Sequence, residues 1–62
     1  MKLFMRFTTK AKENKIVKIL KNYEHVLDIT DKGALITLTD DSKADKLMRE
    51  INKVEAGLCE EF

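Results

Sequence analysis

The spacing of hydrophobic residues switches along this chain between a period of two and a period near 3.6. From Lys2 to Phe7 it alternates, with Leu3, Met5 and Phe7 on one side and Lys2, Phe4 and Arg6 on the other. That pattern predicts a strand with one buried face. From Lys10 the period lengthens: Ile16, Ile19, Leu20 and Tyr23 fall on one side of a helix, Val17 lies at its margin, and Lys10, Lys15, Lys18 and Lys21 lie away from it. An amphipathic helix is expected from about Lys10 to Asn22, its first turn met by the side-chain oxygens of Thr8 or Thr9.

The period returns to two in His25 to Thr39, HVLDITDKGALITLT, where two β-branched and aliphatic runs flank Asp31-Lys32-Gly33. Such a run, broken by a short loop ending in glycine, predicts a β-hairpin. Leu27, Ile29, Ile36 and Leu38 are expected to face the core, leaving Val26, Asp28, Leu35, Thr37 and Thr39 on the other side. Asp40, Asp41 and Ser42 punctuate the hairpin's end, and Ser42-Lys43-Ala44-Asp45 has capping-box spacing with Asp in place of Glu. Ala44, Leu47, Met48, Ile51 and Val54 then form a helical stripe, with Asp45–Arg49 and Lys46–Glu50 as i, i+4 pairs. Gly57 is placed to end this helix. The remaining LCEEF predicts a short fourth strand with Leu58 and Phe62 facing inward.

The order strand, helix, hairpin, helix, short strand predicts an α+β fold on the ferredoxin-like βαββαβ plan, with βαββα as the shorter alternative. Either way an antiparallel sheet carries two helices on one face, in a single small domain covering residues 1–62. By analogy with that plan the first and third strands are central, which puts Phe4, Arg6, Leu35 and Thr37 near the middle of the uncovered sheet face. A chain of 62 residues buries only about 60% of the surface its unfolded form exposes. With one cysteine, Cys59, no intramolecular disulfide can compensate. Close packing or self-association is left. The cysteine usage, the charged amino-terminal stretch and the lack of a long apolar run together predict a cytoplasmic protein without a membrane span.

The formal net charge of +1 hides a division. Residues 1–25 carry seven Lys/Arg against two Glu, and residues 26–62 carry five against nine Asp/Glu. One basic and one acidic surface could steer a partner or favour head-to-tail self-contact. Arg6, Lys10, Lys12, Lys15 and Lys18 are the residues a nucleic acid would meet, although the overall balance is far from that of a dedicated nucleic-acid binder. Nothing predicts catalysis, a cofactor or a metal. His25 is the sole histidine, Glu24 and Asp28 near it do not have metal-ligand spacing, and Glu60 and Glu61 beside Cys59 disfavour a thiolate.

The passage ALITLTDDSKADKLMREINKVEAG resembles the second half of an ACT domain, where an apolar strand leads through a polar turn into an amphipathic helix. That resemblance implies a regulatory domain with a small-molecule ligand; FTTKAKEN stands where ACT domains tend to place an Asp-x-x-Gly-like turn. The Cys-x-x-Cys of heavy-metal-associated domains is absent. An RNA-recognition motif would place exposed aromatics on both central strands, and here Phe4 faces Leu35. Acylphosphatases share the plan, but of their anion cradle the chain has only Arg6 and Asn14 to offer. The leading expectation is therefore a noncatalytic protein-binding module presenting Phe4, Arg6, Val26, Leu35 and Thr37. It would form a homodimer or mask a surface of a larger protein, as very small regulators and inhibitors from phage and mobile elements do. The alternatives are the nucleic-acid module and the ACT-like ligand sensor.

Overall fold

The computed structural model describes residues 1–62. The elements are β1 (Lys2–Arg6), α1 (Lys10–Leu20), β2 (His25–Ile29), β3 (Gly33–Leu38), a 3₁₀ turn (Asp41–Lys43), α2 (Ala44–Val54) and β4 (Cys59–Glu61). All strand pairs are antiparallel, in the order β2-β3-β1-β4. This is the α+β arrangement expected, on the ferredoxin-like plan, with β1 and β3 central. The fourth strand forms, so the shorter βαββα alternative does not apply.

Direct cross-strand partners share a face. Leu3 opposes Ile36, and Ile36 in turn opposes Leu27, on the helix-covered side; Phe4 opposes Leu35 and Glu60, and Val26 opposes Thr37, on the open side. The buried cluster unites Leu3 of β1, Ile36 and Leu38 of β3 and Cys59 of β4 with Ile16 and Leu20 of α1 and Ala44, Leu47 and Ile51 of α2. Strand β2 is the only strand that contributes nothing to it. Both helices have 11 residues, and their apolar stripes close over β1, β3 and β4.

Three expectations are corrected, the first by that narrow cover. Leu27 and Ile29 lie on the helix side of the sheet as predicted, but they are exposed, not core. Phe7, placed with Leu3 and Met5 by alternation, lies just beyond β1 and is also exposed. In the carboxyl strand the parity is the reverse of that expected beyond Leu58. Cys59 opposes Met5 and is buried, so Phe62 cannot point inward and is 75% exposed. Leu58 is buried as expected.

Local chemistry accounts for the element ends. Thr9 caps α1, its side-chain oxygen accepting the Lys12 N–H at 3.4 Å. The helix stops at Leu20 and not at Asn22, because the Asn22 and Tyr23 N–H groups turn to the i−3 carbonyls of Ile19 and Leu20. Before α2 the capping residue is Asp40 and not Ser42. Its carboxylate accepts the Ser42 N–H at 3.0 Å and the Ser42 hydroxyl at 2.6 Å, which draws residues 41–43 into a 3₁₀ turn and leaves α2 without a side-chain cap. In the hairpin, Thr30 Oγ1 accepts the N–H groups of Lys32 and Gly33, each at 3.2 Å. Gly33 belongs to β3 and is required for close approach: a Cβ there would lie 2.2 Å from the Met5 carbonyl oxygen and 3.0 Å from the Phe4 ring.

Candidate protein-interaction edge

The open sheet face brings together the residues expected there, with different degrees of freedom. Phe4 is opposite Leu35, and Thr37 lies between Lys2 and Val26. Phe4, Leu35 and Thr37 are half-buried, the Phe4 ring lying over Gly33. Arg6 is turned to the α2–β4 connection, where its Nε and Nη2 donate to the Gly57 carbonyl at 3.2 and 3.1 Å. Gly57 holds that carbonyl in place with a φ of 73°, a conformation glycine adopts without strain. Among these residues Val26 alone projects freely.

The cations of the nucleic-acid alternative are divided in the same way. Glu55 takes Lys12 Nζ at 2.7 Å, the Thr8 hydroxyl at 3.2 Å and, at 3.8 Å, the Arg6 guanidinium. The hydrogen bond from Lys12, followed by the charges of Lys12 and Arg6, holds the Glu55 carboxyl below the usual glutamate range. Lys10, Lys15 and Lys18 remain exposed on α1 but spread over more than a third of its circumference at 100° per residue. They do not converge on one groove.

A different apolar surface is concentrated on β2. Val26 is 60% exposed, Leu27 42% and Ile29 69%; across from them Phe7 is 54% and Val17 of α1 51% exposed. Leu27, Ile29, Phe7, Val17 and Leu20 line an apolar groove of about 170 Å³ between α1 and the sheet edge, with Glu13 at its rim. A strand with water on both faces and three large hydrophobic side chains is unusual for an isolated sheet edge.

The backbone of β2 is open as well. The Thr30 N–H donates to the Gly33 carbonyl at 2.8 Å at one end, the Thr39 N–H donates to the Glu24 carbonyl at 3.3 Å at the other, and the β2–β3 register is unbroken between them. Antiparallel pairs alternate between bonded and non-bonded. Val26 and Asp28 therefore turn their N–H and C=O groups to β3, and His25, Leu27 and Ile29 turn theirs outward. No bulge, proline or lysine protects this row.

The other edge is partly closed. On β4 the bonds Arg6 N–H to Leu58 O and Phe62 N–H to Lys2 O, both 3.0 Å, fix the same alternation and turn the peptide groups of Cys59 and, at the chain's end, Glu61 outward. The Asn52 side chain meets both groups of Cys59, its Oδ1 accepting the N–H at 2.8 Å and its Nδ2 donating to the carbonyl at 2.9 Å, and leaves those of Glu61 open. The carboxamide takes the place of a neighbouring strand. One sheet edge is capped from within at its first outward residue, and the other is left unpaired along its whole row.

Other candidate groups are accounted for locally. His25 Nδ1 lies 2.8 Å from the Tyr23 carbonyl oxygen. The Tyr23 hydroxyl donates to Glu50 at 3.0 Å, and burial, then that bond, raises its pKa. Cys59 is buried, and burial, reinforced by the Glu60 charge, pushes its thiol up to about 11. No group of three or more His, Cys, Asp or Glu side chains is arranged to hold a metal, and no helix is long and apolar enough to cross a membrane.

Sequence reasoning identified β2 but not its exposure, and it missed Asn52, Glu55 and Phe7. Asn52 carried a weak signal, as an indifferent helix former next to a core position in the last turn of α2. Comparison of the chain with protein-family models, curated proteins and solved structures gives no match.

Proposed function

We propose that this chain is a noncatalytic protein-interaction module that docks an extended strand of a protein partner on β2. The observation that carries the reading is the contrast between the two edges. Asn52 occupies the outward peptide groups of Cys59, which leaves only the terminal Glu61 open on β4, whereas those of His25, Leu27 and Ile29 on β2 are all unpaired beside exposed Val26, Leu27 and Ile29. An added strand would gain main-chain hydrogen bonds from the odd-numbered row and side-chain contacts from the apolar groove, the usual division of affinity and specificity in strand addition. Val26, already expected to bind protein, belongs to this surface. Phe4, Leu35 and Thr37 support it from the neighbouring strands. Such a module regulates or inhibits by occupying a sheet edge of its target, and its lone buried cysteine favours a cytoplasmic setting.

Two immobilised variants test the reading against the open sheet face: Leu27→Lys with Ile29→Lys on the edge, and Phe4→Ala with Leu35→Ala on the face. A protein partner retained by the wild type and the face variant but released by the edge variant is expected. Retention by the edge variant with loss from the face variant overturns β2 as the docking element. Circular dichroism of both variants checks that the fold is kept.

A further inference from the structure

We infer that the strand docked on β2 is the β2 strand of a second copy of this chain, paired antiparallel about a two-fold axis at Leu27. The inference rests on the edge reading above and adds the occupant and its register.

In a continuous sheet, residues directly opposite one another share a face and a bonding state. Only outward-facing residues of one copy can therefore bond outward-facing residues of the other, which restricts the pairing to His25, Leu27 and Ile29. Centring on Leu27 pairs all three: Leu27 with the partner's Leu27, and His25 with the partner's Ile29. Shifting the centre to Asp28 sets the two Asp28 carboxylates directly opposite each other, an unfavourable like-charge pair. Shifting it to Val26 leaves Ile29 opposite the partner's Tyr23, whose carbonyl is already engaged by His25. The Leu27 register alone satisfies the whole row and joins two four-stranded sheets into one of eight strands.

The helix beside the edge carries charge that fits the same axis. Val17 shares the groove with Leu27. On the helical ridge through Val17, Glu13 lies four residues before it and Lys21 four residues after. Reversing such a ridge about Val17 sets each Glu13 against the partner's Lys21. The acid–neutral–base order is thus complementary to its own reversal, and the isologous contact of a two-fold dimer requires that property. The exposed Phe7 and Val17 side chains would be covered at the same seam, which also supplies the self-association a core this small favours.

Sedimentation equilibrium over a wide concentration range tests the occupant, and charge exchange tests the register. The wild type is expected to form a concentration-dependent dimer. Leu27→Lys or the still more exposed Ile29→Lys should raise its dissociation constant at least about tenfold, as replacement of a side chain central to an interface does. Glu13→Lys and Lys21→Glu should each weaken the dimer by roughly three- to tenfold at low salt, and the double exchange should restore it to within about twofold. A wild type that stays monomeric overturns the second copy as occupant, while the strand-docking reading still stands or falls by the partner's response to the edge variant. A dimer indifferent to both edge lysines places the seam elsewhere and overturns the inference. A dimer broken by those lysines but not rescued by the double exchange overturns the register.

Discussion

The side-chain amide of Asn52 holds both backbone polar groups of Cys59, at 2.8 and 2.9 Å, and so caps the start of the β4 edge from within. A strand of three residues has few bonds to β1, and Asn52 ties it to α2 as well. With α2 anchored to it, the longer open row of the sheet is that of β2, the edge on which strand addition is proposed.

Replacing Asn52 by Ala leaves the Cys59 peptide groups without partners. A loss of about 1–3 kcal/mol of stability is expected, the cost of unsatisfied buried polar groups. Urea unfolding measures it. A second sign comes from the thiol: with its pKa raised to about 11 by burial, Cys59 should resist iodoacetamide at about pH 8, where an ordinary thiol is partly ionised. In Asn52→Ala it should alkylate faster as β4 opens.

Gly33 and Gly57 should respond differently to alanine. At Gly33 the new Cβ meets the Met5 carbonyl at 2.2 Å, so the β1–β3 pairing must shift, costing about 1–3 kcal/mol as in an overpacked core. Gly57→Ala has room, its nearest neighbour being the Arg6 guanidinium at 3.9 Å. It should cost about 1–2 kcal/mol through its positive φ alone. Denaturant midpoints separate the two when the variants are also compared by β1 amide exchange, which Gly33→Ala alone should accelerate.

The Glu55 carboxyl titrates below its usual range because Lys12 donates a hydrogen bond to it, with further help from the charges of Lys12 and Arg6. A lowered folded-state pKa contributes stability that is fully present above the unfolded value, about 4.3, and is lost as pH falls through the folded value. Glu55→Gln should therefore be less stable than the wild type near neutrality, and the difference should shrink progressively as the pH is taken down from the unfolded glutamate value of about 4.3. Urea midpoints across that range test it. A constant difference would mean that Glu55 acts through packing and not through its charge.

The alternation and helical stripes were sufficient to foresee the element order, the central position of β1 and β3, and the Phe4–Leu35 neighbourhood. They did not reveal the exposed apolar edge at β2. A period of two assigns Leu27 and Ile29 to a face but cannot say whether a helix covers that face; this depends on how far two 11-residue helices reach across four strands. The inward expectation for Phe62 failed because no tight turn fixes the parity of β4. Its register is set by Cys59, which is held by Asn52 seven residues earlier in sequence but on a different element. Arg6 looked free because its partners, Glu55 and Gly57, are distant in the chain.

Residue-resolved amide exchange on β2 most directly tests the central claim, that its outward backbone row is the binding element. In dilute solution the N–H groups of His25, Leu27 and Ile29 should exchange much faster than those of Val26 and Asp28, which are bonded to β3. When the chain is concentrated or bound to its protein partner, Leu27 and Ile29 should slow at least about tenfold while the even-numbered amides change little. Odd-numbered amides that remain fast in the associated state would contradict the account, because the edge would still be open to water.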